Sequence, residues 1–193
     1  MIEKLIGSSA LGSKLEHIAK SLQNKTLDLS VLDRPMSVTQ ETRSSLPEVS
    51  SETVERLKGK EYPETVLENI GSEAEANIYE EAGLQPAEVN GKDALIRPDI
   101  DYDQKDEFGN TNLGRMESGR APLDENGRPI ELHHIGQKQD SPLAELTRDE
   151  HRGNGNDNIL HDKVKESEIN REDFAKERSE HWKSRAEEIR NQL

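Results

Sequence analysis

The chain has 193 residues, no cysteine and a formal net charge of −14. The absent cysteine excludes a disulfide framework and any cysteine-ligated zinc or iron–sulfur site. Only 30% of residues are apolar and 3% aromatic, against 34% charged; this is thin for one core spanning the whole length, so part of the chain is expected to be linker or weakly ordered.

The charge is uneven. Residues 1–47 carry +1, residues 48–96 carry −8, residues 97–162 carry −7, and residues 163–193 balance. On that balance alone, affinity for phosphate is not expected, since it comes from Lys and Arg. No apolar run approaches the roughly 18 residues of a membrane span, so no membrane insertion is expected. The N-terminal stretch MIEKLIGSSALGSKLEHIAKSL lacks the unbroken apolar region of a signal peptide.

Residues 1–25 read as an amphipathic helix on Ile2, Leu5, Ile6, Leu15, Ile18, Ala19 and Leu22, weakened by interspersed Gly and Ser. Residues 26–52, rich in Ser, Thr and Pro, read as a linker. A short helix is expected over Ser51–Lys58. A longer one is expected over Pro63–Gly83, where Val66, Leu67, Ile70, Ala74, Ile78 and Ala82 recur at helical spacing. EVNGKDALI holds an Asn-Gly turn between short apolar runs, a hairpin signal. DEFGNTN reads as a loop, and NLGRMESGRAP as a short helix or turn. A second Asn-Gly turn, Asn126-Gly127, leads past Pro129 into a strand starting at Ile130. Leu143–Leu146 can return as its partner. Thr147 and Glu150 have the spacing of a capping box that starts a helix at Arg148. Gly153 and Gly155 interrupt that helix. Asp157 or Asn158 can cap a continuation, NILHDKVKE, carrying His161. Residues 170–193 read as a helix with Phe174, Ala175, Trp182, Ala186 and Ile189 on one stripe. The boundary falls near residue 50, with a folded α+β unit after it.

The histidines are the unusual feature. His133 and His134 are adjacent on the expected strand; His151 and His161 follow on the helical part. Neutral imidazoles bind zinc, nickel and similar ions, and three protein ligands with an open position is the catalytic pattern. His133, His151 and His161 can be those ligands, leaving His134 as a general base. A base and a divalent ion together suit phosphodiester hydrolysis. Adjacent strand residues face opposite sides. The pair therefore serves one site only if the pleat breaks, and Gly136 offers the break.

The stretches NLGRMESGRAPLDENGRPIELHHIGQKQDSPLAELTRDEHRGNGNDNILHD and FAKERSEHWKSRA resemble the HNH (ββα-metal, or His-Me finger) endonucleases, specifically the LHH nucleases of bacterial polymorphic toxins. ELHH, Glu131–His134, is also similar to the tetrapeptide of DNase-type colicins. The resemblance covers roughly residues 95–187. It implies an α+β fold: a small ββα-metal core with flanking helices, preceded by a largely helical or weakly ordered N-terminal segment. It divides the chain into a linker or trafficking segment (1–50), a helical pretoxin-like segment (51–94) and a nuclease toxin domain (95–193). It implies a metal set of His133, His151 and His161, His134 as catalytic base, and Glu131 on the strand face of His133, orienting it. The cofactor is then one divalent ion: zinc, nickel, magnesium or manganese.

The family pattern has an Asn between its His motifs. None lies between His134 and His151, so Gln137, Gln139, Asn154, Asn156 or Asn158 takes that place. Arg128, Lys138 and Arg152 are the expected contacts to substrate phosphate. The implied partners are DNA ahead of RNA, and a cognate immunity protein. The implied location is secretion by a specialised system, with delivery to a target-cell cytoplasm. The competing reading is a non-catalytic module with a structural metal, acidic because it binds a basic partner.

Overall fold

The computed structural model describes residues 43–192, which lie within one compact unit. The amphipathic helix expected over residues 1–25 lies outside the described residues, as does most of the expected linker.

After a short 3-10 turn at Arg43–Ser45, three α-helices follow: α1 Ser51–Gly59, α2 Glu64–Asn69 and α3 Glu73–Glu81. Ser50 caps α1 by accepting from the Thr53 amide. Periodicity alone predicts one helix over 63–83, but the chain breaks at Ile70–Ser72. Gly71 has no side chain and so admits the guanidinium of Arg43; a Cβ there would lie 2.8 Å from Arg43 Nε. Ser72 then restarts the helix by accepting from the Glu75 amide.

The hairpin falls where the Asn-Gly pair places it. β1 (Gln85–Val89) and β2 (Lys92–Ile96) are antiparallel. Asn90 and Gly91 both take positive φ, as a two-residue primed turn requires. A loop and the short α4 (Asn112–Glu117) follow. β3 (Glu131–His134) and β4 (Leu143–Leu146) then pair antiparallel, with His133 opposite Ala144 and His134 opposite Leu143. The strand order is β1-β2-β4-β3, with β2 and β4 parallel. The expected β3 therefore lies at one edge of a four-stranded sheet.

Thr147 and Glu150 form the capping box at the start of α5 (Arg148–Arg152). With β3 and β4 it completes the ββα unit. A tight turn at Gly153–Gly155, with Asn154 at φ 52°, leads into α6 (Asn156–Leu160). This helix is preceded by Gly155 rather than by a side-chain cap, and it stops at Leu160. His161 is extended, not helical, because neighbouring backbone groups are taken from elsewhere: Arg43 donates to the Leu160 carbonyl and the Asp162 amide donates to Gln137 Oε1. The long α7 (Arg171–Gln192) closes the fold.

Consecutive strand residues feed two cores, one on each side of the sheet. Leu95 and Ala144 join Leu57, Val66, Tyr79, Ile135 and Leu160 under α1–α3 and α6. Ala94, Leu132 and Leu143 join Met116, Trp182, Ala186 and Ile189 under α4 and α7. Residues 51–94 thus share a sheet and a core with the segment that follows. Among the described residues, no helix is long and apolar enough to cross a membrane.

Candidate metal centre and cleft

Three histidines from three elements meet. His133 projects from β3, His151 from α5, and His161 from the extended residue after α6. Their ring centroids form a near-equilateral triangle of 5.1, 5.0 and 4.9 Å. One nitrogen from each lies within 4.8 Å of the others. His151 Nε2 is 3.3 Å from both His133 Nδ1 and His161 Nε2. Two nitrogens on one tetrahedral zinc, each about 2.0–2.1 Å from it, stand roughly 3.3–3.4 Å apart. These two spacings fit a shared divalent ion.

Electrostatics agrees. Burial, then the neighbouring imidazoles, pushes His133 well below the ordinary imidazole range. Burial also lowers His151, against an opposing hydrogen bond to Glu131, and lowers His161 against the nearby Asp157. In all three the shift favours the neutral imidazole, the form that binds metal. His133 Nε2 is buried with no hydrogen-bond partner.

Glu131 shares the strand face of His133 but reaches a different ring. Its Oε2 accepts from His151 Nδ1 at 2.6 Å and from Arg152 Nε at 2.8 Å. It therefore orients the helical histidine, not the strand one expected from sequence. Burial raises its carboxyl, but the bonds from Arg152 and His151 outweigh this and keep it low. An ionised carboxylate on the outer nitrogen is the usual support of a metal-binding imidazole.

His134 faces the other side of β3. Its Nε2 lies 2.9 Å from Glu177 Oε2 on α7, and its ring centroid 4.4 Å from that of Phe174. Burial raises Glu177, but the bonds from His134 and Lys92 hold it below the usual carboxylate range. An ionised carboxylate only accepts, so Nε2 of His134 carries a proton, and Nδ1 is the ring nitrogen not engaged by Glu177. The ladder is regular through both histidines, so the pleat does not break at Gly136. The pair shares one cleft because β3 is an edge strand, and the cleft reaches both of its faces. Gly136 serves the turn instead: its φ is +86°, and a Cβ would stand 2.8 Å from Asn69 Oδ1.

That cleft, of about 670 Å³, is lined by all four histidines and Glu131. Five arginines also line it: Arg115, Arg120, Arg152, Arg171 and Arg178. Arg115 is held by Asp106 at 2.9 Å and Arg152 by Glu131. Arg178 lies 4.8 Å over the Phe174 ring. Arg128 lies outside, in a neighbouring acidic cavity, with its guanidinium bound to both Asp124 and Asp149. Lys138 is exposed on the β3–β4 turn and does not line the cleft. Of the amides weighed for the family's Asn, Gln137 accepts from the Asp162 amide beside His161 and Asn156 donates to the Glu150 carbonyl beside His151.

Sequence reasoning missed Glu177, Arg171 and Arg178. A signal was present for two of them: Phe174, Glu177 and Arg178 stand at i, i+3 and i+4 and share one helix face.

A family model described as a nuclease of the HNH/ENDO VII superfamily with conserved LHH matches residues 111–188. The Leu-His-His of that description stands here as Leu132-His133-His134. No solved structure matches the chain.

Proposed function

Since residues 111–188 are an LHH-type nuclease domain of the HNH/ENDO VII superfamily, an enzyme class that hydrolyses phosphodiester bonds with a divalent metal, we propose that His133, His151 and His161 hold that metal and that His134 is the general base. The carrying observation is the cleft that joins the histidine triangle, the Glu177-bound His134 and five arginines. A bound divalent ion supplies positive charge against the charge that develops on phosphate and leaving oxygen. His134 Nδ1 takes a proton from water, and Glu177 stabilises the imidazolium that results. Arg120, Arg171 and Arg178 grip the flanking phosphates, so a basic cleft serves an acidic chain.

The substrate is DNA ahead of RNA. Binding to single strands favours exposed aromatic platforms. Of the Phe and Trp side chains lining the cleft, Trp182 is buried and Phe174 is engaged by His134 and Arg178. The likeness of ELHH and the segments around it to polymorphic-toxin nucleases supports a toxin delivered by a specialised secretion system into a competitor's cytoplasm, with a cognate immunity protein that blocks the cleft.

The test incubates the purified protein with supercoiled plasmid and with structured RNA, with chelator and with added zinc, nickel, magnesium or manganese. Metal-dependent nicking that His134→Ala loses while still binding zinc supports the proposal. A metal-loaded wild type that cuts neither polymer overturns it and leaves the structural-metal module. Cytoplasmic expression in bacteria should arrest growth for the wild type and not for His134→Ala.

A further inference from the structure

His161 is tied to α6 only through Asp157, whose Oδ1 lies 3.1 Å and whose carbonyl lies 3.2 Å from its Nδ1. It follows the last residue of α6 in an extended conformation. Its chain neighbours on both sides are held from outside the helix. Arg43 Nη1 donates to the Leu160 carbonyl at 3.4 Å and to Gln137 Oε1 at 3.4 Å. The same Gln137 oxygen accepts from the Asp162 amide at 2.8 Å. One guanidinium therefore grips the residue before His161 directly and the residue after it through a single amide.

Arg43 is itself anchored. Its Nη2 donates to Glu75 Oε2 at 2.6 Å and to the Asn69 carbonyl at 3.3 Å. Glu75 is fully buried and also accepts from the Gly71 amide and the Tyr79 hydroxyl, each at 2.8 Å. Gly71 is the clearance: a Cβ would stand 2.8 Å from both Arg43 Nε and Nη2. A stapling arginine needs only its carboxylate. This one also turns Nη1 to the ligand segment, in the planar fork that lysine cannot reproduce.

We infer that Arg43 is a positioning residue for the metal ligand His161, so that the metal centre reaches beyond the LHH-matching segment to residues 43–75. The inference rests on the proposed metal set. Outer-sphere partners of metal ligands are worth about 10–100-fold in affinity, which is the effect expected here.

The experiment measures zinc affinity of the full chain by competition with a chromophoric chelator, well below the melting temperature, alongside apo-protein melting. Arg43→Gln should weaken zinc by about 10–100-fold. Gly71→Ala keeps both charges but displaces the guanidinium, and should weaken zinc less. Arg43→Lys should recover melting temperature more than zinc affinity, because it re-pairs Glu75 without the fork. Val66→Ala, a core change under the same helices, should lower melting and leave zinc affinity alone. If Arg43→Gln binds zinc as tightly as wild type, or no worse than Val66→Ala, Arg43 is only a staple and the inference falls. If the wild type itself binds no zinc, the metal centre falls first and the inference with it.

Discussion

Two buried groups of histidine and carboxylate flank the same pair of strands, and they are built in opposite ways. On β4, Glu145 accepts from His181 Nε2 at 2.8 Å, Arg185 Nε at 3.0 Å and the Arg97 amide at 2.9 Å. Arg185 Nη2 continues to the Arg97 carbonyl at 3.3 Å. Donor meets acceptor throughout, and this knot clamps α7 and the end of β2 onto the sheet. On β3, the triangle of His133, His151 and His161 sets nitrogen against nitrogen. Among the described residues, the buried side-chain polar atoms without a partner are His133 Nε2 and Asn158 Oδ1; the first is the outer ring nitrogen of a histidine whose Nδ1 faces the triangle, and the second is on α6, which leads into it. Buried polar groups are normally satisfied, so the exceptions need a reason. A closed network is structural; an open one has capacity for a ligand.

The largest effects should separate the two. His151→Ala removes a ligand and should weaken zinc by more than the roughly 10–100-fold an outer partner is worth, with cleavage lost as it is under chelation. Its apo form should lose less stability than Glu145→Ala does, because the main bond it gives up is Nδ1 to Glu131, a carboxylate that keeps Arg152 as a partner. Equal loss of zinc and fold would erase the contrast. Glu145→Ala should do the reverse. It leaves a buried histidine and arginine uncompensated, at a cost of about 3–5 kcal/mol in denaturant unfolding, while the protein that remains folded binds one zinc.

A third carboxylate, Glu177, lies between these extremes. Glu177→Gln cannot hold the His134 imidazolium and should cut kcat by about 10-fold or more, short of the roughly 10²–10⁴-fold expected for His134→Ala. KM and zinc affinity should stay unchanged; a KM effect alone would make Glu177 a substrate contact.

The smallest effect belongs to an exposed cluster on α1 and α3. Arg56, then Lys60, holds the Glu80 carboxyl down to about 2, against an ordinary 4.5. A depressed carboxylate stabilises the fold above about pH 4.5, and that contribution is lost as pH falls through about 2. Both cations are well exposed, so screening should keep Glu80→Gln below about 1 kcal/mol at pH 7. The difference from wild type should shrink in acid and in salt. A larger, salt-insensitive loss would place this surface among the buried networks.

Local signals set the elements. Asn90-Gly91 made the hairpin, Thr147 with Glu150 started α5, and the turn at Asn126-Gly127 with Pro129 placed the strand that Leu143–Leu146 pairs. The side chains of the four histidines were legible for the same reason, since each lies on or beside an element its neighbours define. The single helix expected over 63–83 failed because its break answers to Arg43, which periodicity cannot register. Arg128 looked like a phosphate contact until Asp149, 21 residues away, took its guanidinium.

What the sequence determined was which residue types stand at which local geometry, because turns, caps and strand alternation depend on a few neighbouring backbone angles. What only the tertiary structure decided was pairing. With 40 acids and 26 basic residues, each charge has many candidate partners, and distance in the fold selects among them. It joined Glu177 to His134, Glu131 to His151 and Arg43 to the carbonyl before His161. Strand order, not any break in the pleat, let two histidines facing opposite ways serve one cleft, because an edge strand can be reached from both faces.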